Sequence, residues 1–122
     1  MDTTALIDRY CLAWTEPDAG RRAELLASVW APTATYTDPS VHATNAVELL
    51  AHIAKVQARR PGAKVVRTSA VDFHHDMARF AWHVALPGGS IPLEGIDIAF
   101  LTVDGARIER IIGFFGSPGA MA

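Results

Sequence analysis

The sequence lacks several features that would point directly to a function. It has one cysteine, Cys11, which can form no disulfide within the chain, and a reducing cytoplasm is the expected location. No apolar run approaches the roughly 20 residues of a membrane-spanning helix. The N-terminal stretch carries Asp2 and Asp8 without a basic region, so we expect neither a signal peptide nor a membrane association.

A strongly basic surface is also missing. The formal net charge is −2, and the basic doublets are Arg21-Arg22 and Arg59-Arg60, whereas nucleic-acid binding needs clustered positive charge. The Pro87-Gly88-Gly89 run is typical of a hairpin turn and not of a phosphate-binding loop. We therefore expect no nucleic-acid partner and no cofactor.

What is present is enough apolar sequence for a real core. The chain has 122 residues, half of them apolar, which predicts a single domain over residues 1–122. Apolar spacing and capping residues predict helices over Thr3 to Thr15, Ala19 to Trp30 and Asn45 to Arg60. Extended runs are predicted over Thr33 to Thr37, Lys64 to Phe73, Met77 to Leu86, Leu93 to Val103 and Arg107 to Phe115. Helices first and strands last predict an α+β fold with a mostly antiparallel sheet.

Some of the late strands have two apolar faces. Ile96, Ile98 and Phe100 share one face of their strand, while Ala99 and Leu101 lie on the other. A single layer of helices covers only one face of a sheet. The second face is therefore expected to meet another copy of the chain, giving a homodimer through the outer sheet face.

Three polar residues lie in apolar stretches of the sequence. Tyr10 is on the apolar face of the first helix, Asp38 ends the run Tyr36-Thr37-Asp38, and Asp97 lies inside an apolar strand. A buried carboxylate is costly unless it is paired, hydrogen-bonded or neutral. Asp38 could instead bond the backbone nitrogen of Ser40 in its own turn, Asp97 could bond a nearby hydroxyl, and Tyr10 could be a core aromatic residue.

The chain resembles the nuclear transport factor 2-like superfamily, and within it the SnoaL-like branch. The resemblance is carried by Tyr10 with Trp14, by Tyr36-Thr37-Asp38-Pro39, by Gly95-Ile96-Asp97, by Asp104-Gly105-Ala106-Arg107-Ile108 and by Gly113-Phe114-Phe115-Gly116. It implies a curved mixed or antiparallel sheet wrapped around the N-terminal helices as a cone, a cystatin-like α+β roll. It also implies a pocket between helices and sheet, and frequent dimers through the sheet. The superfamily includes isomerases, cyclases, epoxide hydrolases and non-catalytic members, so fold alone does not supply the reaction.

Ketosteroid isomerase is the member whose catalytic residues can be compared one by one. Its helical tyrosine matches Tyr10, its general base matches Asp38 before Pro39, and its protonated aspartate matches Asp97 after Ile96. The resemblance then implies that Asp38 removes a proton beside a carbonyl, while Tyr10 and a neutral Asp97 donate hydrogen bonds to the enolate oxygen. Aromatic and polar residues expected along the pocket are Trp14, Trp30, Tyr36, His42, Trp82 and Phe115.

Other readings of the site stay open. His42 could act as an alternative base. Adjacent His74 and His75 point to opposite faces of a strand, which is poor geometry for one metal, and we predict no metal site. An epoxide hydrolase would need an arginine between Asp38 and Asp97, with Arg67 or Arg79 as candidates.

The sequence therefore predicts a protein with a pocket for a small apolar molecule. If it is an enzyme, proton transfer of the isomerase or polyketide-cyclase kind comes first, with Asp38 as base. A non-catalytic binding or dimerisation module is the alternative.

Overall fold

Capping side chains define where the helices begin. The structure, a computed structural model, describes residues 1–121. Asp2, Asp18 and Asn45 each accept a hydrogen bond from the backbone N–H three residues further on, which satisfies a free donor of the first turn. The helices that follow are α1 (Thr3–Thr15), α2 (Ala19–Ala27) and α3 (Ala46–Arg59). No helix within residues 1–121 combines the length and apolar character needed to cross a membrane.

The strands form one open, mixed sheet of seven strands within the described residues. They are β1 (Trp30–Asp38), β2 (Val41–Ala43), β3 (Lys64–Arg67), β4 (Asp72–His74), β5 (Met77–Ala85), β6 (Leu93–Leu101) and β7 (Ile108–Phe115). Their order is β2-β1-β7-β6-β5-β3, with β4 also paired to β5. Only β1 and β7 run parallel; the other described pairs are antiparallel. The predicted α+β cone, a curved sheet against N-terminal helices, is confirmed.

Helix α2 is shorter than the sequence predicts. It ends at Ala27, because Ser28 turns its hydroxyl back onto the Leu25 carbonyl over 2.7 Å. The carbonyl of Val29 then accepts a hydrogen bond from the first residue of β7, which draws the chain into the sheet. Trp30 therefore begins a strand.

The predicted extended run from Lys64 to Phe73 is divided into two strands. Between β3 and β4, the hydroxyl of Ser69 accepts the N–H of Ala81 over 2.8 Å, taking the place of a backbone carbonyl in the ladder. Strand β2 and the parallel contact between β1 and β7 were not predicted. The parallel contact joins segments distant in the sequence, whereas β2 pairs with the neighbouring β1 across a tight turn.

One face of the sheet, here called the inner face, packs against the helices and holds the core. On β5 and β6 it presents buried residues alternating with more exposed ones: Ala78, Phe80, Trp82 and Val84, then Gly95, Asp97, Ala99 and Leu101. The opposite, outer face leaves Ile96 42% and Phe114 68% exposed. Apolar area is thus left uncovered on that side.

Candidate functional site

A cavity of about 240 Å³ lies between the helices and the inner face of the sheet. Its buried end is lined by Tyr10 from α1 and by Phe80, Trp82, Val84 and Asp97 from the sheet. Its more exposed end is lined by Asp38, Ser40, His52, Arg59, Arg60, Leu93 and Phe115. The cavity is smaller than the roughly 300–1,000 Å³ usual for drug-sized ligands, so it suits a small molecule.

Three neighbouring strands bring the two acidic residues together. Thr37 of β1 pairs with Ile112 of β7, and Asp97 of β6 pairs with Gly113, the next residue of β7. A Cβ atom placed on Gly113 would lie 2.5 Å from Asp97 Oδ1 and 3.7 Å from Asp38 Cβ. Both carboxyl-bearing side chains therefore border the space above Gly113, and the glycine is what leaves that space open.

Asp97 is a buried acid with a single hydrogen-bond donor. It is 4% exposed, and its Oδ1 accepts the indole N–H of Trp82 over 2.9 Å. The Trp82 ring lies so close to Gly95 that a Cβ there would overlap it, at 2.6 Å from Cζ2. Burial raises the pKa of Asp97 from 3.8 to about 7, against the lowering effect of the Trp82 hydrogen bond and with a further rise from the charge of Asp38. Near neutral pH, Asp97 is therefore poised between acid and carboxylate.

Asp38 is held more firmly, at the half-buried end of β1. Its Oδ1 accepts the backbone N–H of Ser40 over 2.7 Å and the Ser40 hydroxyl over 2.6 Å. Its Oδ2 accepts the hydroxyl of Tyr36 over 2.5 Å. A carboxylate has about four acceptor positions. The turn contact to Ser40 is thus present, and one position on Oδ2 remains for a group in the cavity.

Tyr10 brings an unused hydroxyl to the buried end. The side chain is 2% exposed and stacks on Trp30, with ring centroids 5.9 Å apart. Its hydroxyl has no hydrogen-bond partner among residues 1–121. Burial and, next, the charge of Asp97 raise the pKa of Tyr10 well above 10.0, against a lowering effect of the nearby Trp14 side chain, which makes no hydrogen bond of normal geometry to the hydroxyl. The hydroxyl therefore stays protonated, and buried groups of this kind normally have a partner.

Comparison with solved structures identifies the fold. The chain matches a candidate isomerase of the SnoaL-like family from Agrobacterium tumefaciens with a TM-score of 0.86 and 29% identity, over 93% of this chain and 97% of that one. These structure neighbours match the resemblance of the chain to the nuclear transport factor 2-like superfamily and its SnoaL-like branch. No family model matches the sequence, and no curated protein does.

Two more distant matches show that this SnoaL-like fold is shared with proteins of different descriptions. A candidate ketosteroid isomerase from Kribbella flavida matches with a TM-score of 0.64 and 18% identity, over 98% of this chain and 82% of that one. A candidate polyketide cyclase from Sinorhizobium meliloti matches with a TM-score of 0.69 and 17% identity, over 93% and 99% of the two chains. At these identities the likeness concerns the fold alone.

Three of the residues expected along the pocket of this SnoaL-like chain line the cavity, and three do not. Trp14, Trp82 and Phe115 line it. Trp30 is core packing beneath Tyr10, and Tyr36 is buried with its hydroxyl on Asp38. His42 is exposed on β2, where its Nδ1 lies 2.7 Å from the Thr37 hydroxyl, so it is not placed to act as a base in the cavity.

Several lining residues were missed by the sequence argument, among them His52 and Gln57. His52 is half-buried on α3, and its ring meets Trp14 edge-on at 5.8 Å. Burial lowers the pKa of His52. Gln57 lies on the same helix and also lines the cavity. The signal was available: positions 52, 56 and 59 recur at helical spacing and therefore share one face of α3.

The arginines considered for epoxide chemistry lie elsewhere. Arg67 pairs with Asp8 over 2.7 Å, and Arg79 pairs with Asp72 over 2.7 Å. Neither lines the cavity. The Asp-Arg-Asp arrangement that this chemistry requires is therefore not formed by those residues. Within residues 1–121, no group of three His, Cys, Asp or Glu side chains is placed to hold a metal ion.

Cys11 lines the cavity but is no candidate nucleophile. Its side chain is buried in α1, and burial raises the pKa of the thiol to about 12. Because the thiolate is the reactive form, Cys11 serves as an apolar wall residue at neutral pH.

Proposed function

We propose that this SnoaL-like protein binds a small carbonyl compound and transfers a proton at the carbon beside the carbonyl. The observation that carries the proposal is the buried Tyr10, whose hydroxyl lacks a partner and whose side chain lines the same cavity as Asp97 and Asp38. A carbonyl oxygen is an acceptor that would satisfy this hydroxyl. The apolar walls from Phe80, Val84 and other side chains suit an otherwise apolar ligand.

Each of the three residues has a distinct role in this reaction. Asp38 accepts the proton from the carbon, using the acceptor position left on its Oδ2. Tyr10 and the protonated form of Asp97 donate hydrogen bonds to the oxygen, where negative charge develops as the enolate forms. The proton held by Asp38 then passes to another carbon, which shifts the double bond, or the enolate carbon attacks a second carbonyl and closes a ring.

The alternative to an enzyme is a non-catalytic binding module. In that case the bonds from Tyr36 and Ser40 to Asp38 would serve only to shape the turn after β1. The two functions are separated by asking whether a molecule that binds also exchanges its protons.

The test uses cyclohex-3-en-1-one in D2O, followed by NMR. Wild type is expected to catalyse deuterium exchange beside the carbonyl and migration of the double bond to the conjugated position. Asp38→Asn should lower the rate by about 10²- to 10⁴-fold, the usual contribution of general base catalysis. Asp76→Asn, which changes an exposed aspartate in the β4–β5 turn, is the matched control and should leave the rate unchanged.

Two results would contradict catalysis. One is an Asp38→Asn protein, folded by circular dichroism, that exchanges as fast as wild type. The other is binding of the enone by wild type without any exchange above the buffer rate, which would support the binding module.

The assembly in this proposal is a homodimer through the outer face of the sheet. Ile96 lies opposite Phe114, and Ile98 lies opposite Ile112, so four apolar side chains form one patch on β6 and β7. Phe114→Glu should convert the dimer to a monomer in size-exclusion chromatography with light scattering, because an unpaired charge would be buried. Val103→Glu, at a 94% exposed side chain beyond β6, is the control.

The single buried thiol of Cys11 suits a reducing compartment, and the cytoplasm is part of the same proposal.

A further inference from the structure

The exposed end of the cavity carries two arginines. Arg59 is the last residue of α3 and is exposed, and the half-buried Arg60 follows it; both line the cavity. Neither guanidinium takes part in an ion pair within residues 1–121, where Arg67 and Arg79 hold the pairs that are formed. Burial lowers the pKa of His52, the charge of Asp38 raises it, and the charge of Arg59 lowers it, so His52 lies within reach of both charged groups.

A third positively charged side chain, Arg22, lies behind the residues of α3 that line the cavity. Arg22 is 5% exposed, and its guanidinium donates to the carbonyls of Glu16 and Pro17 at 3.0 and 3.1 Å. Its remaining described partner is Gln57 Oε1, at 2.7 Å. All of these acceptors are neutral, so the positive charge of Arg22 is solvated but not cancelled. Because Gln57 lines the cavity, the charge lies one side chain behind its surface.

The opposite wall is apolar except at Asp38. Leu93 and Phe115 from β6 and β7 are apolar. The Asp38 carboxylate accepts hydrogen bonds from neutral groups only, so it keeps its single negative charge, which the two positive charges of Arg59 and Arg60 outnumber. A ligand entering along α3 therefore meets positive charge on one side and an apolar surface on the other.

We propose that the ligand is an apolar keto acid, whose carboxylate binds Arg59 and Arg60 while its carbonyl reaches Tyr10 and Asp97. This inference deepens the proposed function by naming the substrate class. The volume of about 240 Å³ equals the space of roughly eight water molecules. It therefore favours a ligand with one ring or a short chain between the two polar groups. An anion also balances the adjacent charges of Arg59 and Arg60.

The test compares two probes with the same keto skeleton, the anion 4-oxo-4-phenylbutanoate and its neutral methyl ester. Binding is measured through the fluorescence of Trp14 and Trp82, which line the cavity. Wild type should bind the acid about tenfold more tightly than the ester, because charge-assisted hydrogen bonds are the stronger ones. The preference for the acid should shrink as salt is added.

The variant Arg59→Gln/Arg60→Gln should lose the preference, with ester binding retained. Arg21→Gln/Lys55→Gln is the control, since it removes the same net charge from exposed positions that do not line the cavity. Melting temperatures of the two variants show whether both remain folded. The single variants Arg59→Gln and Arg60→Gln, with a smaller loss each, replace the double variant if it unfolds.

The inference is overturned if wild type binds acid and ester equally, if it binds neither, or if the control variant loses the preference as fully as the arginine variant. Because binding is read without turnover, the two proposals fail separately. Acid preference without proton exchange would remove the proposed function and leave this inference standing. Proton exchange on the neutral enone without a preference for the acid would remove this inference and leave the proposed function standing.

Discussion

Trp82 donates its indole N–H to Asp97 Oδ1 over 2.9 Å, and this bond joins β5 to β6 at the floor of the cavity. It favours the charged form of Asp97, whereas burial favours the neutral form more strongly. The balance holds the pKa of Asp97 at about 7. An acid that can donate a hydrogen bond at neutral pH is what the proposed reaction needs at this position.

The rate of proton exchange should fall as pH rises above about 7, because Asp97 then loses the proton it donates to the enolate oxygen. Trp82→Phe removes the bond that lowers this pKa, so the alkaline limb should move to higher pH. Exchange rates of the enone between pH 5 and pH 9 measure the limb. A limb at the same pH in Trp82→Phe would contradict the assignment to Asp97.

Stability should also depend on Asp97. Its pKa in the folded protein, about 7, lies above the unfolded value near 3.8. The folded state therefore binds more protons between these values, so stability is full below about pH 4 and falls as pH rises through 7. At about 1.4 kcal/mol for each pKa unit, the loss is up to about 4 kcal/mol.

The variant Asp97→Asn should abolish most of this decline, because a neutral amide can still accept the Trp82 bond. Urea midpoints at pH 5 and pH 8 measure it, with Asp76→Asn as the control that keeps the wild-type slope. A slope in Asp97→Asn equal to that of wild type would assign the pH dependence to another group.

Gly113 should not tolerate a side chain. A Cβ at this position would lie 2.5 Å from Asp97 Oδ1, so Gly113→Ala must displace the acid or the strand. We expect a loss of about 1–3 kcal/mol in the free energy of unfolding, measured by urea denaturation. Gly88→Ala, where a Cβ would have no atom within 4 Å, is the control and should cost little. Equal losses in the two variants would contradict the packing described for Asp97.

The two tyrosines near the acids should respond in opposite ways to loss of the hydroxyl. The Tyr10 hydroxyl is buried without a partner, so Tyr10→Phe should leave the protein as stable as wild type or up to about 1 kcal/mol more stable. Tyr36 donates to the Asp38 carboxylate, so Tyr36→Phe should cost about 1.5–3 kcal/mol. Urea denaturation curves of the two variants and of wild type give their free energies of unfolding. A larger loss in Tyr10→Phe would show that its hydroxyl has a partner in the free protein.

The sequence predicted what depends on local signals. Asp2, Asp18 and Asn45 marked the helix starts because capping acts within one turn. Alternating residues on β6 also separated the side of Asp97 from the side of Ile96. Trp30 was assigned to a helix because its apolar spacing fitted, while the contact that makes it a strand comes from β7, far along the chain.

The site was harder to predict, because its geometry also depends on contacts between strands. Tyr10, Asp38 and Asp97 could be singled out as polar groups in apolar surroundings. The donor to Asp97, in contrast, is Trp82 and not a hydroxyl, because the register of β5 against β6 decides which side chain reaches the acid. His42 was expected along the pocket and His52 was not, because a single histidine gives no sign of which way its element faces.

The most direct test of the central claim is a crystal structure with phenol, whose ring and oxygen resemble the enolate of a cyclohexenone. The account predicts the phenol oxygen within about 3.2 Å of both the Tyr10 hydroxyl and an Asp97 carboxyl oxygen. A ring carbon next to the oxygen-bearing carbon should face Asp38 Oδ2. Phenol bound elsewhere, or in the cavity with its oxygen turned away from Tyr10 and Asp97, would contradict the account.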